Sequence, residues 1–254
     1  MIPTGKFKSL FQEQVGMSDE VGKTFDSYKE ENPDAEFTDW LRELSEPMWS
    51  DGINHRFVDE LADGTIDDEV YGRYLVQDRA FVETLIGLVG KAVHDAPTLA
   101  KKRRIHQFLS MLVDDEMDEY FEQTFEKLGV PESEWVDPEL HPVTAGLMDI
   151  VERGALEGDY EETLAVLFPT GWFYLEWGLR IENASPGAEY LRRWIDVHTS
   201  DELKSFVDWQ HAELNRAGPE LTSRRQRRVG RHFRRAMRFE KAFFDIPYDP
   251  EMWV

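Results

Sequence analysis

The chain has 254 residues, of which 51 are acidic and 29 basic, giving a formal net charge of −22. That excess repels nucleic acid and anionic membranes over most of the surface, and the complete lack of cysteine excludes disulfides, thiolate metal sites and a thiol nucleophile together. With no Gly/Ser/Pro-rich linker in its middle, a chain of this length suits one domain.

The acids are spread along the whole chain rather than gathered in a tail, and the basic residues are more often Arg than Lys. This pattern fits adaptation to a very salty cytosol, where surface carboxylates hold water. The start, MIPTGKFKSLF, lacks the apolar core of a secretion signal, and no apolar run approaches the length that a bilayer needs. The expectation is a soluble, cytoplasmic protein.

Residues 1–34 are polar and charged and read as an extension, partly helical at best, with the main domain at 35–254. Asp34 or Thr38 could cap a helix running on through FTDWLRELSEPMWSDGINHRFVDELADG, bent at Pro47 and stopped at Gly64. Val70, Tyr74, Phe81, Leu85, Leu88 and Val89 recur at helical spacing and predict a helix from about Asp67 to His94. Ile105, Phe108, Leu109, Leu112, Met117, Tyr120, Phe121 and Phe125 continue the rhythm, predicting one long helix over 98–128 closed by Gly129. Shorter helices follow at 144–153 and 159–180, then one over 186–215 and a last one through SRRQRRVGRHFRRAMRFEKAFFDI. No stretch alternates with period two for long, so the fold class is all-α.

Within 159–180 lies the aromatic run LFPTGWFYLEWG. Pro169 removes one amide donor from the helix, and Thr170 and Tyr174, four apart, share a face. They would line any space that a kink opens, although plain core packing with a structural kink explains the same residues. Glu176 has Arg180 four residues on, an order that favours a local ion pair.

Two other acids stand beside rings at helical spacing. Asp78 shares a face with Phe81, as a surface residue at the edge of the stripe or as a buried acceptor. Glu240 shares a face with Phe243 and Phe244, either paired with Arg238 or Lys241 at the surface or buried with a raised pKa, ready to donate a proton near neutrality. The run from Asp114 to Gln123 has carboxylates enough for a metal, and His106, His198 and His211 are available. Di-metal bundles, however, use Glu followed three later by His, and that pair does not occur. A solvated acidic face and no metal is the reading here. The Arg cluster from Arg224 to Arg238 would pair with carboxylates of neighbouring helices or subunits more simply than with phosphate or RNA.

Together, FVDELADGTIDDEVYGRYLVQDRAF, LFPTGWFYLEWG and FEKAFF resemble the TenA family of thiaminase II and aminopyrimidine hydrolases, over residues 40 to about 246. The resemblance implies a single-domain helical bundle of the haem-oxygenase-like type, no cofactor, and an aminopyrimidine-like small heterocycle as substrate. Nucleic acid and membrane are not implied as partners; a homo-oligomer, tetramer or dimer, is. Carried over by position, Asp78 would hold the aminopyrimidine edge, Glu240 would protonate the ring, and Tyr174 would line the site. The family's catalytic cysteine falls at Thr170, its pocket tyrosines at Phe81 and His198, and a further tyrosine near Leu147 or Met148. A threonine hydroxyl is too weak an acid to replace the thiolate without a strong base beside it. The implied function is thiamine-pyrimidine salvage by a route without a cysteine nucleophile. The alternatives are a homologue that binds without catalysis, and an oxidase like PqqC or the di-iron members of the fold; for the latter, Lys204, Asp208 and His211 lack the first histidine of the expected helix motif.

If the acidity is an adaptation to salt, the melting temperature should rise by several degrees between low salt and molar KCl, measured by circular dichroism; no rise would refute it.

Overall fold

The computed structural model describes residues 22–249, without the side chains of Asp115, Glu116 and Glu157. Among the described residues the secondary structure is helical throughout, and no helix is long and apolar enough to cross a membrane. In chain order the helices are α1 (Phe25–Glu31), α2 (Phe37–Leu44), α3 (Met48–Ile53), α4 (Arg56–Asp63), α5 (Asp68–Asp95), α6 (Leu99–Leu112) and α7 (Asp115–Leu128). They continue with α8 (Glu132–Trp135), α9 (Pro142–Glu157), α10 (Tyr160–Arg180), α11 (Glu189–His198), α12 (Asp201–Ala217) and α13 (Ser223–Asp245).

The hydrophobic helix α10 is the axis of the bundle. It packs against α5, α9, α11, α12 and α13, and buried residues lie all round it, from Tyr160 to Gly178. It runs unbroken through Pro169, and the Thr170 hydroxyl donates to the Leu167 carbonyl at 2.7 Å. A capping box starts it: Asp159 caps the first turn while the Glu162 side chain accepts from the Asp159 amide.

Three expected helices prove to be broken. The span 35–64 forms α2, α3 and α4, with the α2 cap at Glu36, paired reciprocally with Asp39, rather than at Asp34 or Thr38. Gly64 ends α4 in the left-handed region at φ 66°, as its position suggested. The long helix over 98–128 divides at Val113–Asp114 into α6 and α7. The helix over 186–215 divides at Thr199–Ser200, where the Thr199 hydroxyl donates to the Ile195 carbonyl and the Ser200 hydroxyl accepts from the Leu203 amide. Hydroxyl side chains offer the backbone partners outside the helix, and apolar periodicity runs straight through such points.

Residues 1–21 of the polar extension lie outside the described residues. In its described part, α1 buries Phe25 against Phe37 and Trp40, with ring centroids 5.2 and 6.2 Å away, and the Trp40 indole donates to the Lys23 carbonyl at 3.2 Å.

The Arg-rich start of α13 turns inward at two positions. Arg225 donates from Nε to Glu162 Oε1 at 3.1 Å and from Nη2 to Glu162 Oε2 at 2.6 Å and Glu161 Oε2 at 2.9 Å; Arg228 lies 3.8 Å from Glu162. Glu162 is completely buried. Burial alone would raise its pKa, but the Arg225 hydrogen bonds and charge outweigh this and hold it below the usual range. The N-terminal ends of α10 and α13 are thereby joined. Arg225→Ala strands the Glu162 charge in the interior and should cost about 3 kcal/mol, measured by calorimetric unfolding. The pair Arg225→Met with Glu162→Gln should recover most of that loss.

Candidate active site

Asp78 on α5, Tyr174 on α10 and Glu240 on α13 meet inside the bundle. Asp78 is 5% exposed, Tyr174 7% and Glu240 1%, so both acids are buried rather than at the surface. Lys241 pairs with Asp245 at 2.7 Å and not with Glu240. Among the described residues, neither carboxyl oxygen of Glu240 has a hydrogen-bond partner. Burial, reinforced by the nearby charge of Asp78, lifts the Glu240 pKa to about 8. Burial likewise lifts Asp78 to about 7, partly opposed by the Tyr74 phenol, which donates to Asp78 Oδ1 at 3.5 Å. Two carboxyls so placed hold at least one proton between them at neutral pH.

Tyr74 joins this cluster although its place in the apolar stripe of α5 does not single it out. Tyr74 and Tyr174 lie close enough for each to influence the other's ionisation, and the Tyr74 phenol donates to Asp78, so α5 brings a second phenol beside the α10 one. Its signal was present, because Tyr74 stands one helical turn before Asp78 on the same face, but tyrosine at that spacing reads equally as core. Rings close the cluster. Tyr74 meets Phe243 edge-on at 5.6 Å, Tyr174 meets Phe244 at 5.9 Å, and Phe81 lies 6.4 Å from Phe243.

His198, at the end of α11, sits against Tyr174 and Trp177, each at 5.0 Å, and Trp194 at 4.5 Å. Its pKa is pushed down to about 4 by burial, and Nδ1 lies 2.8 Å from the Trp194 carbonyl. Asp78, Phe81, Tyr174, Glu240 and His198 therefore belong to one cluster. Thr170 stands one turn before Tyr174, half-buried, with its hydroxyl directed at the Leu167 carbonyl rather than at either acid.

Other expectations change. Glu176 is not paired with Arg180. It accepts from the Trp49 indole at 3.0 Å and pairs with Arg42 at 3.1 Å, while Arg180 reaches Asp59 at 2.8 Å. Trp49 and Arg42 lie across an interface that spacing along one helix does not reveal. His211 is held between Phe168 and Trp172, with Nδ1 3.2 Å from the Thr38 hydroxyl. Among the described residues no three His, Asp or Glu side chains converge as a metal site. Two surface grooves, one of about 400 Å³ between α6 and α12 and one of about 530 Å³ between α5 and α9, lie away from the acid cluster.

The bundle thus buries two acids and two phenols among aromatic rings where α5, α10 and α13 meet. The chain belongs to the TENA/THI-4/PQQC family, whose model matches residues 43–249. It is 26% identical over 220 residues to an aminopyrimidine aminohydrolase of Halalkalibacterium halodurans, covering 84% of this chain and 96% of that protein. A second aminopyrimidine aminohydrolase, from Bacillus subtilis, is 23% identical over 217 residues, or 85% of this chain and 92% of that one. Among solved structures, a TenA homologue from Pyrococcus furiosus superposes with a TM-score of 0.75 at 22% identity, covering 84% of this chain and all of that one. A TenA family transcription regulator from Silicibacter sp. TM1040 also gives 0.75 at 22% identity, covering 87% of this chain and all of that one. The bundle is thus the TenA-type fold.

The raised acids make a signed prediction. A carboxyl whose folded pKa exceeds its unfolded value of 4.5 favours folding fully below that pH, and the contribution is lost as pH rises through the folded value, here about 8. Glu240→Gln should therefore melt higher than the parent at pH 8–9, by an amount on the order of a few kcal/mol, with no gain below pH 4.5. Parallel thermal melts across that range check it.

Proposed function

We propose that this protein hydrolyses a C–N bond of a small aminopyrimidine-type heterocycle in thiamine-pyrimidine salvage, without a cysteine nucleophile. The observation that carries the reading is Glu240: a fully buried acid with no hydrogen-bond partner for either oxygen among the described residues, held protonated near neutrality beside a second buried acid. Such a group is costly to the fold unless a ligand completes it. The names of the curated relatives supply the substrate class.

In this reading Asp78, steadied by Tyr74, accepts from the amino edge of the ring, and Phe81, Tyr174 and His198 enclose its faces. Glu240 gives its proton to a ring nitrogen as water attacks the carbon bearing the departing nitrogen. The C–O bond forms, the C–N bond breaks, and the nitrogen leaves as an amine with a proton from the water. The proton on the ring returns to Glu240. Overall, one water is consumed, and one hydroxyl product and one amine are released.

A second reading, a protein that binds the heterocycle without turning it over, draws support from Thr170. Its hydroxyl is committed to the Leu167 carbonyl, and among the described residues no side-chain base hydrogen-bonds to it. The two readings separate in one experiment. Incubation with aminopyrimidine breakdown products of thiamine should release the hydroxymethyl aminopyrimidine. Glu240→Gln should lower that rate at least about 100-fold while calorimetric binding persists, and the parent's rate should fall as pH rises through about 8, where Glu240 loses its proton. Binding without turnover would favour the second reading, and neither binding nor turnover with any aminopyrimidine would defeat both.

A further inference from the structure

His198 differs from the other polar groups of the cluster in that its hydrogen-bonding sense is fixed by the backbone. Its Nδ1 lies 2.8 Å from the carbonyl of Trp194, one turn earlier on α11. A carbonyl oxygen can only accept, so Nδ1 carries the proton. A neutral imidazole carries one proton, which leaves Nε2 as a bare acceptor. Nε2 makes no hydrogen bond among the described residues, and it is not one of the buried atoms sealed off without a partner. The ring keeps part of its surface accessible even though Tyr174, Trp177 and Trp194 surround it at 4.5–5.0 Å. These rings pack around the imidazole, and the Trp194 carbonyl holds its Nδ1.

The backbone beneath is equally constrained. A Cβ added at Gly178 of α10 would meet the His198 carbonyl at 3.0 Å and its Cβ at 3.3 Å, so α10 and α11 touch directly at this point. Thr170, also expected at the site, spends its hydroxyl proton on the Leu167 carbonyl. The α11 side of the site thus offers a ligand an acceptor that can change neither its tautomer nor its position.

Resting on the aminopyrimidine reading of this site, we infer that His198 Nε2 is a specificity-determining acceptor, which selects heterocycles presenting an N–H or O–H donor, such as an amino, ammonium or hydroxyl substituent, toward α11. A ligand that presents a bare ring nitrogen or an ether oxygen there sets acceptor against acceptor and is rejected.

Nitrogen-15 NMR of histidine-labelled protein reads this directly. Before any ligand is added, the His198 signals should show a protonated Nδ1 and an unprotonated Nε2 at neutral pH; the opposite tautomer, or a charged ring, would overturn the inference whether or not anything binds. Titration with 4-amino-5-hydroxymethyl-2-methylpyrimidine should then move the Nε2 resonance toward the hydrogen-bonded range, with Nδ1 unchanged. Replacing the hydroxyl of this probe by a methoxy group should weaken calorimetric binding about five- to tenfold. His198→Phe should remove the difference between the two probes, and His198→Gln, which restores an acceptor, should bring part of it back. If both probes bind equally well to the parent and Nε2 does not move, the inference is wrong while the aminopyrimidine reading stands. If neither probe nor any other aminopyrimidine binds, the reading beneath it has failed and takes the inference with it.

Discussion

The structure depends on keeping two carboxyls out of water and close enough to feel each other. Asp78 and Glu240 arrive from α5 and α13, far apart in sequence, and α10 stands against both helices. A buried acid can be neutralised by taking up a proton, and burial raises both pKa values here, with the charge of Asp78 lifting Glu240 further. The fold supports this pair with rings rather than countercharges. Phe243, Phe244, Tyr74 and Tyr174 fill the surroundings, and among the described residues only the Tyr74 phenol hydrogen-bonds to either acid. An arginine in their place would have cancelled the property that gives the site its chemistry.

Countercharge is instead used at the opposite end of α13. Arg225 closes on Glu162 and Glu161 one helix away, joining the beginnings of α10 and α13 while their later turns carry Tyr174 and Glu240. Lys101, Arg216 and Glu213 repeat the device between α6 and α12, where Glu213 is held ionised despite its burial. In a chain with a net charge of −22, several of the scarce basic groups are thus committed to tying helices together.

Much of this could be read from the residues, and the gaps have identifiable causes. The all-α class and the long helix α5 follow from apolar spacing, with α5 found within a residue or so of its expected ends. The breaks at Val113–Asp114 and Thr199–Ser200 were hidden because hydrophobic rhythm records which face is buried, not whether the axis turns. Asp78 and Glu240 were visible as acids beside rings, but whether each lay inside or outside depended on partners from other helices, and a single helix's sequence is silent about these. Glu176 shows the same limit in reverse. Its neighbour on α10 suggested an ion pair, and the packing of Arg42 and Trp49 supplied a different one. Tyr74 went unnoticed because a tyrosine in an apolar stripe reads as core until its hydroxyl is seen to have a partner.

The contact between Gly178 and the end of α11 joins two positions that the sequence keeps twenty residues apart. With 3.0 Å between a would-be side chain and the His198 carbonyl, α11 can lie where it does only while position 178 stays bare. A side chain at position 178 would have to push the end of α11 back by a few tenths of an ångström, and residue 198 would move with it. The seat of His198 beside Tyr174 and Trp177 is thereby tied to a glycine on another helix, whose missing side chain sets how near the two helices come.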